Sequence, residues 1–321
     1  MKVTKITNDF APRNRAICFG VETEFDEPCN VEVEVVDVEA NTTLARQIIR
    51  EVTSATVNIA PYTKPFAEYT PSLHHETSFE EAPTASYTIR VDDIDAEPIR
   101  LSVNCKEQSL PSLVSTMPTK RTIAYGERDE LLLFANAGDT FAAIIKTDTG
   151  EELPLDYTTQ TGAAILSLST EDFGSDVRTL EVTILCNDSH LNVLHYNVVA
   201  SRKGAIRLAW ISNKGSIERY TFPAVTKSQR KSEKEGHTTL AGRRVTSSNT
   251  ESSLTLVSRY EPRSTIKALA DIISTTKVWI EGEDVCHEVE VRSSTVDTNL
   301  FGEPDSTVIE LTEWRREEVA L

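Results

Sequence analysis

Between residues 205 and 222 the chain alternates in two short runs around a reversal. Ile206, Leu208 and Trp210 share one face of a predicted strand and Arg207 falls on the other; beyond Asn213-Lys214-Gly215, Ile217, Arg219 and Thr221 alternate with Glu218, Tyr220 and Phe222. Gly215 suits a positive φ, so the stretch predicts a hairpin held by Trp210, Asn213, Gly215, Tyr220 and Phe222. Period-two patterning recurs upstream, most strictly in Val31-Glu32-Val33-Glu34-Val35, and again over Ala55–Ile59, Tyr87–Val91 and Ile99–Val103. Further strands are predicted at Arg121–Glu127, Leu131–Phe134, Phe141–Lys146, Ala164–Leu168 and Leu180–Leu185. One segment follows the helical period instead. Ile266, Leu269, Ala270 and Ile273 share a face behind Ser264, which reads as an N-cap, so a helix is expected over about 264–275. Leu254–Val257 resumes strand character before that helix. After it, Lys277–Glu281, a turn at 282–284 and Val285–Val291 predict a second hairpin, and Thr307–Trp314 a last strand.

These elements make the fold class all-β: tandem β-sandwich domains followed by a β-rich C-terminal domain with one helix. A first sandwich is expected over 1–110, a second over 111–200, and the C-terminal domain over 201–321, with Pro111 and Pro118 bracketing a linker. Prolines 61, 65, 71 and 83 exclude helix from the irregular stretch around Tyr62, Phe66 and Tyr69. A faint echo links the two sandwiches: Arg15, Ile17, Phe19 and Gly20 match Arg121, Ile123, Tyr125 and Gly126 at an offset of 106, and Val57-Asn58-Ile59 matches Leu166-Ser167-Leu168 at 109. Duplication would produce such an echo, and so would any two alternating strands.

Charge changes the picture. The chain carries 33 basic and 50 acidic side chains, a net −17, which opposes a general nucleic-acid binder. Between Arg202 and Arg244 the balance reverses, with 11 Lys or Arg against three Glu. The glycine-bearing, aperiodic stretch 226–244 reads as a basic loop, mobile or ordered by a partner, with Lys227, Arg230, Lys231, Lys234, Arg243 and Arg244 as its contact residues. Its lack of aromatics favours a protein partner over nucleic acid, and the acidic remainder of the chain makes another copy a natural one. No window approaches the run of about 20 apolar residues that a spanning helix needs. Met1–Thr7 leads into Asn8-Asp9-Phe10 without an apolar core, so no secretory signal is expected. Cys18, Cys29, Cys105, Cys186 and Cys286 are odd in number and never spaced CxxC, which reads as buried reduced thiols, with neither a zinc site nor a disulfide framework.

Candidate chemistry is sparse. His74-His75-Glu76 groups metal-ligand types, but neighbouring histidines of an extended chain point apart. Asp92-Asp93-Ile94-Asp95-Ala96-Glu97 is rich in carboxylates yet lacks the glycine and distal glutamate of a calcium loop, and reads as an acidic turn. Asp188, Ser189, His190 and His195 contain triad residue types without a nucleophile elbow, in a segment expected between strands. Asn41-Thr42-Thr43 and Asn187-Asp188-Ser189 fit the glycosylation sequon, which matters only to an exported chain. Trp210, Trp279 and Trp314 could line a sugar site but lie in strand patterns, where core packing is the commoner role. The expectation is therefore a chain with no catalytic residue, metal, cofactor, small-molecule substrate or membrane contact, working through protein contacts.

One resemblance narrows this. Arg207-Leu208-Ala209-Trp210-Ile211-Ser212-Asn213-Lys214-Gly215-Ser216-Ile217-Glu218, then Tyr220-Thr221-Phe222, the later helix, Val278-Trp279-Ile280 and Glu313-Trp314-Arg315-Arg316 resemble a segment of structural proteins of Bacteroidales phages, including the crAss-like group. The resemblance covers about 120 C-terminal residues, and Lys214 and Ser216 stand where the usual turn carries glycine and aromatics. It implies a virion protein assembled in the host cytoplasm: a subunit of a ring or hub in the tail or head–tail connector, meeting copies of itself and adjacent virion proteins. A cell-surface adhesion or glycan-recognition protein of immunoglobulin-like modules is the alternative.

Overall fold

The backbone, seen in a computed structural model, is described for residues 1–10, 16–24, 27–63, 70–72, 76–101, 109–239, 242–282, 285–293 and 306–314. The first third supplies β1 (Lys2–Lys5), β2 (Cys18–Glu22), β3 (Cys29–Asp37), β4 (Thr42–Val52), β5 (Ser54–Asn58), β6 (Ser78–Glu81), β7 (Ala85–Val91), β8 (Ile94–Asp95) and β9 (Ile99–Leu101). A β1-β2-β5 sheet packs on a β4-β3-β7-β8 sheet, with β9 also paired to β7. Val31, Val33 and Val35 meet Phe19, Tyr87, Ile89 and Leu101 between them, while the alternating glutamates of β3 stay on the wet face.

The middle third supplies β10 (Ser112–Val114), β11 (Lys120–Ala124), β12 (Arg128–Phe134), β13 (Thr140–Thr147), β14 (Glu152–Thr158), β15 (Ala163–Ser169), β16 (Thr179–Cys186) and β17 (Ser189–Val199). A β11-β17-β16-β13-β14 sheet faces a β10-β12-β15-β6 sheet. Two expectations change here. The boundary at 110 fails for β6, which crosses from the first third to pair antiparallel with β15, its Phe79 packed on the second core. The expected linker holds β10, paired to β12. The sequence echo does not mark equivalent places: β2 and β5 are neighbours in one sheet, whereas β11 and β15 lie in different sheets.

The last third supplies β18 (Ile206–Ile211), β19 (Ile217–Phe222), β20 (Ala224–Thr239), β21 (Gly242–Val257), α1 (Arg263–Leu269), β22 (Val278–Glu281), β23 (Cys286–Val291) and β24 (Val308–Trp314), in a seven-stranded sheet ordered β19-β18-β22-β23-β24-β21-β20. Leu208, Trp210, Tyr220 and Phe222 point to one face, where Ile266, Leu269 and Ile272 of the helical segment cover them. Ala209, Ile217 and Trp279 point to the other, onto Leu132, Phe134 and Ile165 of the middle domain. β12 and β15 are thus buried on both faces, which is why Leu131–Phe134 reads as an unbroken apolar run. Phe10, from the first third, stacks on Phe134 with ring centroids 4.5 Å apart, so all three domains meet at one place.

The helix is shorter than expected and starts differently. α1 ends at Leu269 and continues as a 3₁₀ turn over Ala270–Ile273, and Pro262, not Ser264, is its N-cap. The Pro262 carbonyl accepts from Thr265 and Ile266 at 2.9 and 3.1 Å, which leaves Ser264 inside the first turn. The larger correction concerns 226–244. It is not a loop: β20 and β21 form a hairpin of two 16-residue strands. Residues 227–239 and 242–253 hold one aliphatic residue, Val245, so these strands lack the hydrophobic alternation that reveals a strand in sequence.

Candidate functional site

Alternation along the 206–222 hairpin brings charge to a buried place. In β18 and β19, Ala209 pairs with Arg219 and Arg207 with Thr221, so both arginines share the face that lies on the middle domain. Arg219 is fully buried, 3.0 Å from Glu130 of β12 and 2.5 Å from Glu281 of β22. Its guanidinium also donates to the carbonyl of Ser72 at 3.1 Å, and the Ser72 amide donates to Glu130 at 2.6 Å. One arginine therefore ties the crossover from the first domain, the middle sandwich and the C-terminal sheet. Arg207 continues the chain of charge, at 3.0 Å from both Glu127 and Glu281, and bonds the Arg128 carbonyl.

A second cluster adjoins the first. Arg121 of β11 donates to Asp129 at 2.7 Å and to Ser115 at 2.7 Å, and lies 3.8 Å from Glu218. Tyr196 donates to Asp129 at 2.9 Å, while Glu218 accepts from the Thr116 amide, Ser115 and Ser216. Three guanidinium groups thus stand among five carboxylates. Burial pushes Glu130 above the ordinary carboxylate range, with Arg219 opposing, and does the same to Glu218 against Arg121. Burial acts on Asp129 too, but Arg121, Arg207 and Arg219 outweigh it and hold the group low. A buried cluster of this kind gives little net stability over an apolar one, and it penalises any arrangement of the domains that leaves a charge unmatched.

The ribbon is the other feature. Val225, Leu254 and Leu256 pack at its base on the C-terminal core. β24 accompanies β21 only from Glu251 to Val257, and no strand lies beyond β20 among the described residues. Lys227, Lys231 and Lys234 are exposed; the side chains of Arg230, Arg243 and Arg244 lie outside the described set. The reversed charge of 202–244 is not all the ribbon's, because Arg207 and Arg219 are spent inside the molecule and Lys214 donates to the Ser115 carbonyl at 2.7 Å. The ribbon strands alone, 224–257, hold six basic and three acidic residues.

The remaining candidates resolve into turns and core. Asp92 and Asp93 have φ of 47° and 62° and join β7 to β8, and Asn187 and Asp188, at 48° and 61°, join β16 to β17. Both are two-residue turns of the mirror-image kind, where Asn and Asp serve because they tolerate a left-handed backbone. Ser189 and His190 lie in β17 and not between strands, and His195 sits six residues along that strand from Ser189, about 20 Å away. His195 instead lies 3.6 Å from Glu181, beside a polar cleft of about 690 Å³ between the five-stranded sheet and Glu261–Thr265. Trp210 and Trp279 are buried, and the side chain of Trp314 lies outside the described residues, as do His74, His75 and Cys105. Gly215 has a φ of 92° and closes the 206–222 turn. Cys18, Cys29, Cys186 and Cys286 are free thiols. Among the described residues no three potential ligands group to hold a metal, and no helix is long and apolar enough to cross a membrane.

The buried arginines escaped sequence reading, although a signal existed. Glu218 alternates in phase with Tyr220 and Phe222, so a core face for those two aromatics required a buried acid and a partner for it.

The geometry defines an all-β protein of stacked, mainly antiparallel sheets, joined through buried charge and extended by one ribbon. No family model and no curated protein matches the chain. Among solved structures, the chicken CNTN1 FN1–FN3 domains align over 94% of this chain and 95% of that one, at 9% identity and a TM-score of 0.22. The chicken interferon gamma receptor alpha chain aligns over 59% and 94%, at 9% identity and 0.20, and surface layer protein SbsC domains 4–9 over 99% and 44%, at 12% and 0.20. Scores this low carry no argument, and the fold class rests on the sheets themselves.

Proposed function

We propose that this chain is a structural subunit of a virion, in a tail or head–tail connector ring or hub, that assembles by protein contacts. The reading joins the resemblance of the C-terminal third to one observation: among the described residues, the ribbon β20–β21 runs past the strand that accompanies it. A two-stranded ribbon is marginal alone in water, and it becomes useful where something outside the subunit receives it. The domain junction complements it, since a ring subunit must hold two unlike faces at a fixed angle for closure. Locating the chain in purified particles by electron microscopy tests the reading; several copies at one radius near the tail or connector are expected, and absence from the particle overturns it.

The alternative, an adhesion or glycan-recognition protein, draws on the tandem sandwiches alone. Specific binding to a glycan array by a monomeric chain that no particle contains would select it.

A further inference from the structure

The sign of the charge changes along the fold, not only along the sequence. Residues 201–321 hold 18 basic and 18 acidic side chains, so the entire net charge of −17 falls on residues 1–200. The middle domain is the starkest part, with 13 acidic residues over 111–200 against five basic ones, of which Arg121 is buried against Asp129. Glu151, Asp156, Asp176 and Asp188 are exposed on it. The ribbon is the opposite, with a net of +3 over 224–257.

Register sharpens the contrast. β20 pairs Arg230 with Ser252, Ser232 with Thr250 and Lys234 with Ser248 in one alternate set; the other set pairs Lys231 with Glu251, Glu233 with Asn249 and Glu235 with Ser247. One set of pairs is therefore purely basic, while the other carries three acids and one lysine. From Lys227 to Thr239 the ribbon extends about 40 Å, and no strand pairs with its outer edge among the described residues. The plain rival is that edge lysines merely keep the strand from pairing with other chains.

We infer that the ribbon of one copy lies, by its basic set, on the acidic first 200 residues of a second copy. This rests on the assembly reading above and adds the identity of the partner. Charge of opposite sign on two separate parts of one chain gives a head-to-tail contact, which repeats from copy to copy and closes into a ring or runs on as a filament.

The test uses the full chain, mixed from ¹⁴N- and ¹⁵N-labelled batches at low ionic strength and coupled with a zero-length carbodiimide. Peptides carrying both labels should join Lys234, the lysine of the basic set, to an Asp or Glu of residues 1–200. The variant R230E/K234E should lose them and self-associate about tenfold or more weakly by sedimentation, with an unchanged melting curve. If that variant fails to fold, R230Q/K234Q replaces it with the same expectation. Oligomers whose mixed-label products avoid the ribbon, or a reversed ribbon that assembles equally well, overturn the inference while leaving the assembly reading in place. Ribbon lysines coupled only to another protein within purified particles do the same. A wild-type chain that stays monomeric and is missing from particles overturns both, and salt-sensitive binding of the ribbon to duplex DNA in place of a second copy overturns the inference.

Discussion

Arg219 and Glu130 belong to different domains and meet 3.0 Å apart, with the arginine side chain sealed from solvent and the glutamate nearly so. The contact exists because strand alternation in β19 places Arg219 on the face that the middle domain covers, next to Ile217. Glu130 occupies the corresponding face of β12, in phase with Leu132 and Phe134. Removing the cation leaves Glu130 buried without a cation and Glu281 with Arg207 alone. We therefore expect Arg219→Met to cost about 3–5 kcal/mol, read as a lower denaturant midpoint. Replacing Arg219, Glu130 and Glu281 together by apolar residues should recover most of that loss, because the cost lies in the unmatched charge. A single variant that unfolds within about 0.5 kcal/mol of wild type would refute this account.

Acid should weaken the tether of β6. Glu81 accepts from Tyr157 at 2.7 Å, from Thr159 at 2.8 Å and from the Thr161 amide at 2.6 Å, besides the Thr161 hydroxyl. Burial opposes its ionisation, but those donors prevail and hold the carboxyl below its ordinary value, while burial and Glu81 together push Tyr157 up to about 12. A lowered native pKa means stability that is present above the unfolded value, near 4.3, and drains as pH falls through the native one. Glu130 and Glu218 act in the opposite sense: raised by burial, they contribute most below the unfolded value and lose that contribution as pH rises through their native values. Glu81→Gln should lower stability at neutral pH by about 1–3 kcal/mol and flatten the acid limb of a midpoint-against-pH curve. An acid limb as steep as that of wild type would assign it to other groups.

What was legible in the sequence divides by distance. The 206–222 hairpin, β3 and β7 were visible because period two is a local property, and each strand has at least one face decided by its own residues. Leu131–Phe134 was visible as a strand, but its burial on both faces depends on Trp279 and Ile217, which come much later in the chain. β6 was hidden for the same reason, since Phe79 finds its core across a domain boundary. The ribbon was hidden for the opposite reason. Ser, Thr, Lys and Glu fill both of its faces, so composition said loop while the backbone paired through 15 residue pairs. Among the charged residues, the buried arginines were not legible. A charge inside a strand announces itself only when its neighbours in phase are recognised as core.

Asp92 and Asp93 carry a prediction that separates a turn from an ion site. Both residues hold positive φ in a two-residue link between Val91 and Ile94. Asn-Gly satisfies that geometry at least as well, because glycine has no Cβ to strain and asparagine tolerates the left-handed region. The variant D92N/D93G should keep or slightly raise the melting temperature, and calcium should shift neither protein. A calcium-dependent rise in wild type that the variant lacks would restore the ion-binding reading.

Two glycines test whether the domains unfold as one body. Gly162 and Gly138 have φ of 90° and 88°, so alanine at either one meets a left-handed backbone. They differ in their surroundings. A Cβ on Gly162 would lie 2.6 Å from the Ala135 carbonyl oxygen, whereas one on Gly138 meets nothing within 4 Å. The first clash is against backbone that already bonds Gly162, since its carbonyl accepts from the Ala135 amide at 2.7 Å. Gly138→Ala should cost about 1 kcal/mol and Gly162→Ala clearly more, the difference isolating the close approach. Gly162 also follows the Thr159–Thr161 turn that grips Glu81, so its displacement loosens the crossover from the first domain. If buried charge fuses the domains into one cooperative unit, Gly162→Ala shifts a single unfolding transition downward. A variant that instead splits the transition in two, with only one half moved, would show domains that merely touch, and a rigid carrier for the ribbon would then be lost.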